Sequence, residues 1–97
     1  MIRHLVLFKL NAGVSQDDPR VPAAVAAFEK VGQTVSELRE WQIGWNFTDR
    51  DIAYDFGINS LVEDRDALQA YLTHPDHQAA AALWREFATW VIADFEV

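Results

Sequence analysis

Residues 41–62 read WQIGWNFTDRDIAYDFGINSLV, and the alternation on either side of one polar turn decides the fold. Over 39–47, Trp41, Ile43, Trp45 and Phe47 alternate with Glu40, Gln42, Gly44 and Asn46. A period of two with one apolar side is that of a strand with one covered face. Over 52–62, Ile52, Tyr54, Phe56, Ile58, Ser60 and Val62 fall on one side. Ala53, Asp55, Gly57, Asn59 and Leu61 fall on the other. Thr48-Asp49-Arg50-Asp51 is the polar turn between them, so the spacing predicts a hairpin with a short connection.

Upstream, residues 2–10 alternate with large apolar groups on both sides. Ile2, His4, Val6, Phe8 and Leu10 share one face, and Arg3, Leu5, Leu7 and Lys9 the other. A strand of this kind is covered on both faces. Asn11-Ala12-Gly13 ends it. Asp17 and Asp18 suit a helix cap, and Pro19 or Pro22 a first helical turn. Val21, Val25, Phe28, Val31 or Gly32, Val35 and Leu38 then recur at helical spacing, which predicts about four turns. Downstream, Asp64 caps a short helix with Ala67, Leu68, Tyr71 and Leu72 inward. Thr73-His74-Pro75 breaks it, and Pro75 starts another with Ala79, Ala80, Leu83, Trp84 and Phe87 inward. Residues 90–97 alternate again. The order β-α-β-β-α(α)-β predicts an α+β, ferredoxin-like domain over residues 1–97, with helices on one face of a four-stranded antiparallel sheet. The other sheet face, with Leu5 and Leu7, would be bare. Homodimerisation through that face is the expected resolution.

Composition excludes several functions. Eight basic against fifteen acidic residues give a net charge of −7, and no two cations are adjacent. Nucleic acid and anionic membranes need a clustered basic face, so neither is an expected partner. There is no cysteine, hence no disulfide or thiolate chemistry. The apolar core of the N-terminus is too short for a signal peptide, and no window suits a membrane span. A cytoplasmic location is expected.

Four stretches together resemble a known family. They are Ile2 to Lys9, Asp49 to Phe56, Tyr71-Leu72-Thr73-His74-Pro75-Asp76-His77, and Val91 to Phe95. They are similar to the Dabb domain, the stress-responsive A/B barrel family, and the resemblance covers essentially the whole chain. It implies a homodimer whose sheets form a closed α/β barrel. Most members have no assigned reaction. One branch comprises plant polyketide cyclases, which perform an aldol-type cyclisation without a cofactor. There the second histidine of His-Pro-x-His is the general base, helped by an upstream tyrosine. By motif position these match His77 and Tyr71, and a pocket-side histidine of the first strand matches His4. No cofactor is expected.

Bland explanations stand beside these. A neutral imidazole is a competent base near pH 7, but His-Pro-x-His also serves as a helix-start device bonded to nearby backbone. Tyr71 and His4 equally suit core packing. His74, Asp76 and His77, with His4, offer metal-ligand atoms, yet Pro75 distorts the spacing and no metal is expected. Trp41, Trp45, Trp84 and Trp90 with Phe8, Phe28, Phe56 and Phe87 are mostly core. The expected function is a Dabb-type binding protein taking a small apolar or aromatic ligand, with His4, Val6, Phe8, His74 and Trp84 around it. The alternative is a cyclase-like enzyme using His77 and Tyr71. A cofactor-free monooxygenase is a weaker third reading.

Overall fold

A computed structural model describes all 97 residues. The first strand, β1 (Ile2–Leu10), buries Ile2, His4, Val6 and Phe8, as the alternation requires. Helix α1 (Val21–Thr34), strands β2 (Leu38–Trp45) and β3 (Phe56–Val62), helices α2 (Arg65–Thr73) and α3 (Pro75–Arg85), and strand β4 (Ala88–Glu96) follow. The sheet is antiparallel in the order β2-β3-β1-β4, the ferredoxin-like arrangement. In register, Val6 lies between Ile58 and Ile92, and Phe8 between Phe56 and Trp90.

The helices cover the face that carries these residues. Trp84 is fully buried at its centre, with ring centroids 4.7 Å from both Phe8 and Phe56 and 5.2 Å from Phe87. Its Nε1–H donates to the Ala24 carbonyl oxygen at 2.9 Å, which ties α3 to α1. The opposite sheet face is open. Leu7, Val91 and Phe95 are about half exposed there, and Leu7 pairs with Val91 across the strands.

Several boundaries differ from the sequence expectation. Helix α1 stops at Thr34; Val35 is extended, and Leu38 opens β2. Its apolar spacing fitted a helix because the next strand presents its own apolar side chains to the same core. No side chain caps α1: Asp18 instead accepts from the Arg20 N–H in the preceding turn, while Pro22 sits in the first turn. The connection between β2 and β3 is not a short turn but runs from 46 to 55. Phe47 and Ile52, expected on strand faces, lie on this loop in solvent. In α3, Ala80 and Trp84 face inward, whereas Ala79 and Leu83 are exposed, because the helix presents a narrower stripe than the spacing implied. Asp64 does cap α2, accepting from the Ala67 N–H at 2.8 Å. At the end of β1, Gly13 adopts φ +82°, a conformation that favours glycine.

Gly32 has a different reason. A methyl group there would fall 2.2 Å from Trp41 Cδ1 and 2.6 Å from Trp41 Nε1. Gly→Ala inside a helix ordinarily stabilises by about 1 kcal/mol. Here the overlap with the indole reverses the sign, because overpacking costs about 1–3 kcal/mol. Gly32→Ala is expected to lower stability by a net ~1 kcal/mol in thermal unfolding. A raised Tm would mean that the indole swings aside freely.

Candidate functional site

The cavity lies where α2 and α3 meet β1 and β4. Helix α2 ends at Thr73 because Pro75 disfavours a helical His74, and α3 restarts one residue later. His74 is the hinge of this arrangement: its Nδ1 accepts from the Asp76 N–H at 3.0 Å and caps α3. One turn on, His77 turns back towards α2, and its Nδ1–H donates to the Leu72 carbonyl oxygen at 3.0 Å. That bond places the lone pair on Nε2. Burial pushes the His77 pKa below its ordinary value, with His4 and His74 acting in the same direction and the Leu72 bond opposing. The ring is therefore neutral at pH 7.

Tyr71, on α2, packs edge-on against both histidines, with centroids 4.9 Å from His77 and 5.5 Å from His4. Its hydroxyl is buried and has no hydrogen-bond partner. Ser60 is close by: its hydroxyl donates to the His4 carbonyl oxygen at 3.3 Å, and its oxygen is the one polar group near enough to oppose the effect of burial on Tyr71. Burial pushes the phenol well above its usual pKa, so Tyr71 is a proton donor rather than a base. His4 is buried on β1, and its Nδ1 is hydrogen bonded to the Asp94 carboxylate of β4.

These rings border a cavity of about 50 Å³ whose other walls are apolar, among them Val6, Phe8, Phe28, Leu72 and Trp90. Ile92, which also lines it, is 54% exposed, because the helices cover β4 only at its Ala88–Trp90 end. Further along β4 and α2, a groove of about 410 Å³ runs past Leu68, Asp94 and Glu96.

The structure thus brings together His4, Tyr71, His77, Val6 and Phe8. His74 and Trp84 do not line the cavity: one caps α3, the other fills the core. His74, Asp76 and His77 do not converge on a common point for a metal either. The Asp76 carboxylate is taken by the Thr34 hydroxyl at 2.7 Å and by Lys30. Sequence reading passed over Asp94. The available signal was a carboxylate in the helix-facing set of β4, in register with a histidine in the helix-facing set of β1.

Residues 2–97 match the family described as Stress responsive A/B Barrel Domain, Dabb. This chain belongs to the Dabb family. It is 66% identical over 96 residues to an uncharacterized protein of Streptomyces coelicolor, with 99% of each chain covered. A dimeric ferredoxin-like protein of unknown function from Thermobifida fusca is 30% identical, with a TM-score of 0.86, covering 99% of this chain and 90% of that one. A Dabb family protein from Mesorhizobium loti shares the fold at 21% identity, with a TM-score of 0.79 over 99% of this chain and 95% of that one. The dimeric relatives support self-association of this Dabb protein. No helix in it is long and apolar enough to cross a membrane.

Proposed function

We propose that this Dabb protein is a homodimer, joined through the open sheet face into a barrel, that binds a small apolar or aromatic molecule at the His77 cavity. The observation that carries this is the Tyr71 hydroxyl: a buried donor without a partner, beside the His77 ring, in walls that are otherwise apolar. Leaving such a group unsatisfied costs about 1–3 kcal/mol, which a ligand oxygen would recover. The ligand therefore carries a hydroxyl or carbonyl oxygen. At about 50 Å³ the cavity admits that head group alone, and the remainder of the ligand lies outside it. An intact aromatic ring enters only if the exposed Ile92 side moves outward.

Trp90 lines the cavity, so its fluorescence is the readout. Titration with phenols and aromatic ketones is expected to give saturable quenching that Trp90→Phe removes. No saturation across the panel would overturn the reading. A ligand hydroxyl bonded to His77 Nε2 needs the neutral ring. Because the His77 pKa lies below 6.5, affinity is expected to be flat above that pH and to fall on acidification below it.

The fixed Nε2 lone pair also favours a second reading, in which His77 takes a proton from a bound carbon acid while Tyr71 donates to the oxygen that gains charge. His77→Ala is then expected to cut turnover of an activated polyketide-like substrate by about 10²–10⁴-fold. Binding without turnover in the wild type would leave the ligand-binding reading alone standing.

A further inference from the structure

Trp41, Ser60, His4 and Asp94 stand in one row across the helix-facing side of the sheet. In register, Ser60 of β3 lies between Trp41 of β2 and His4 of β1, and His4 lies beside Asp94 of β4. Ser60 is the odd member of its strand. The other helix-facing residues of β3 are Phe56, Ile58 and Val62, and among them Ser60 is a fully buried hydroxyl. Its bond to the His4 carbonyl, at 3.3 Å, is longer than is usual for a hydroxyl donor. Strand β1 is paired on both sides, so that carbonyl belongs to a backbone ladder without the serine. A weak bond of this kind does not account for a buried hydroxyl where an apolar side chain would cost less.

Tyr71 supplies the reason. Its ring packs edge-on against both neighbours of Ser60 in the row, with centroids 6.0 Å from Trp41 and 5.5 Å from His4. The ring therefore lies over the serine, where a small side chain leaves a recess between two large rings. The buried Tyr71 hydroxyl has no partner of its own. Ser60 acts on the phenol oxygen against the effect of burial, while Asp94 acts in the same direction as burial. A neighbouring hydroxyl has that effect by donating to the oxygen as it gains charge.

We propose that Ser60 is a positioning residue for Tyr71: it forms the seat of the phenol ring, and its hydroxyl turns from the His4 carbonyl to the Tyr71 oxygen when Tyr71 donates to a ligand oxygen in the His77 cavity. This rests on the ligand-binding reading given above. In the chain from Ser60 to Tyr71 to the ligand oxygen, each hydrogen bond polarises the next, so Tyr71 becomes the better donor. The chain also fixes a direction. With Ser60 donating from the sheet side, the Tyr71 proton is aimed at the ligand.

The test pairs two measurements on wild type, Ser60→Ala, Tyr71→Phe and the double variant. In the first, fluorotyrosine replaces both tyrosines and the fluorine NMR signals are followed against pH. Tyr71→Phe assigns them, and Tyr54 is the internal reference. Ser60→Ala is expected to raise the Tyr71 pKa by about one pH unit, the effect of one lost hydrogen bond to the charged form, and to leave Tyr54 unchanged. In the second, phenol and toluene, which differ by a hydroxyl against a methyl group, are titrated against Trp90 fluorescence. Ser60→Ala is expected to weaken phenol by about three- to tenfold, to leave toluene within about twofold, and to add nothing in the Tyr71→Phe background. A Tyr71 pKa unmoved by Ser60→Ala would overturn the role. So would equal losses for phenol and toluene, which a packing defect produces. A wild type that binds neither compound, with the Tyr71 pKa still raised in Ser60→Ala, would overturn the ligand-binding reading and leave the pairing of Ser60 with Tyr71 standing.

Discussion

Trp84→Ala is expected to remove a large share of the stability of the protomer. The side chain is fully buried and touches Phe8, Phe28, Phe56 and Phe87, which belong to β1, α1, β3 and the segment after α3. Truncating a buried tryptophan costs about 3–5 kcal/mol through lost burial and the cavity left behind. The change also strips the Ala24 carbonyl of its partner, although an α-helical carbonyl retains its backbone bond. Against a total of about 5–15 kcal/mol for a typical domain, the loss is decisive. Urea unfolding followed by circular dichroism measures it as a lower midpoint. Trp84→Phe keeps an aromatic ring in the cluster and is expected to lose distinctly less. A loss below about 1 kcal/mol for Trp84→Ala would contradict the central role of this ring.

Leu7→Asp is expected to abolish the dimer while leaving the protomer folded. Leu7 is 49% exposed in the single chain, beside Val91 and opposite Gly57, so its replacement disturbs no buried core contact. In a face-to-face dimer the same position becomes covered. An unpaired carboxylate there costs about 3–5 kcal/mol. Isologous symmetry places it twice, and each 1.4 kcal/mol is about tenfold in affinity, so the dissociation constant is expected to rise by at least about 10³-fold. Light scattering would then report the 11.0 kDa chain mass in place of twice that value. A dimer that persists in Leu7→Asp would move the interface off this face.

Much of the candidate site was legible before the fold was known. The His-Pro-x-His segment marked the α2–α3 break, and the alternation of β1 placed His4 with Val6 and Phe8 on the helix-facing side. The roles within the motif were less legible. Spacing alone does not separate His74 from His77, yet one accepts from the Asp76 N–H as a cap and the other donates to the Leu72 carbonyl and borders the cavity. Which nitrogen is occupied follows from where each ring sits over the break, and chain spacing does not contain that. The hairpin shows the converse error. Ile52 and Tyr54 continue the alternation of β3, but Asp55 bonds to β1 through both its backbone and its carboxylate, and so ends the ladder there.

By itself, the sequence determined the order of strands and helices, the ferredoxin-like class, and the apolar set of most elements. These follow from periods of two and 3.6, which are properties of neighbouring residues. Tertiary structure alone decided that Asp94 meets His4 across 90 positions, that the helix side of β4 stays uncovered from Ile92 onward, and that Trp84 fills the core instead of the cavity. Those outcomes depend on strand register and on how two helices divide the area of one sheet. Both are set by the packing of side chains distant in the chain, which local periodicity does not encode.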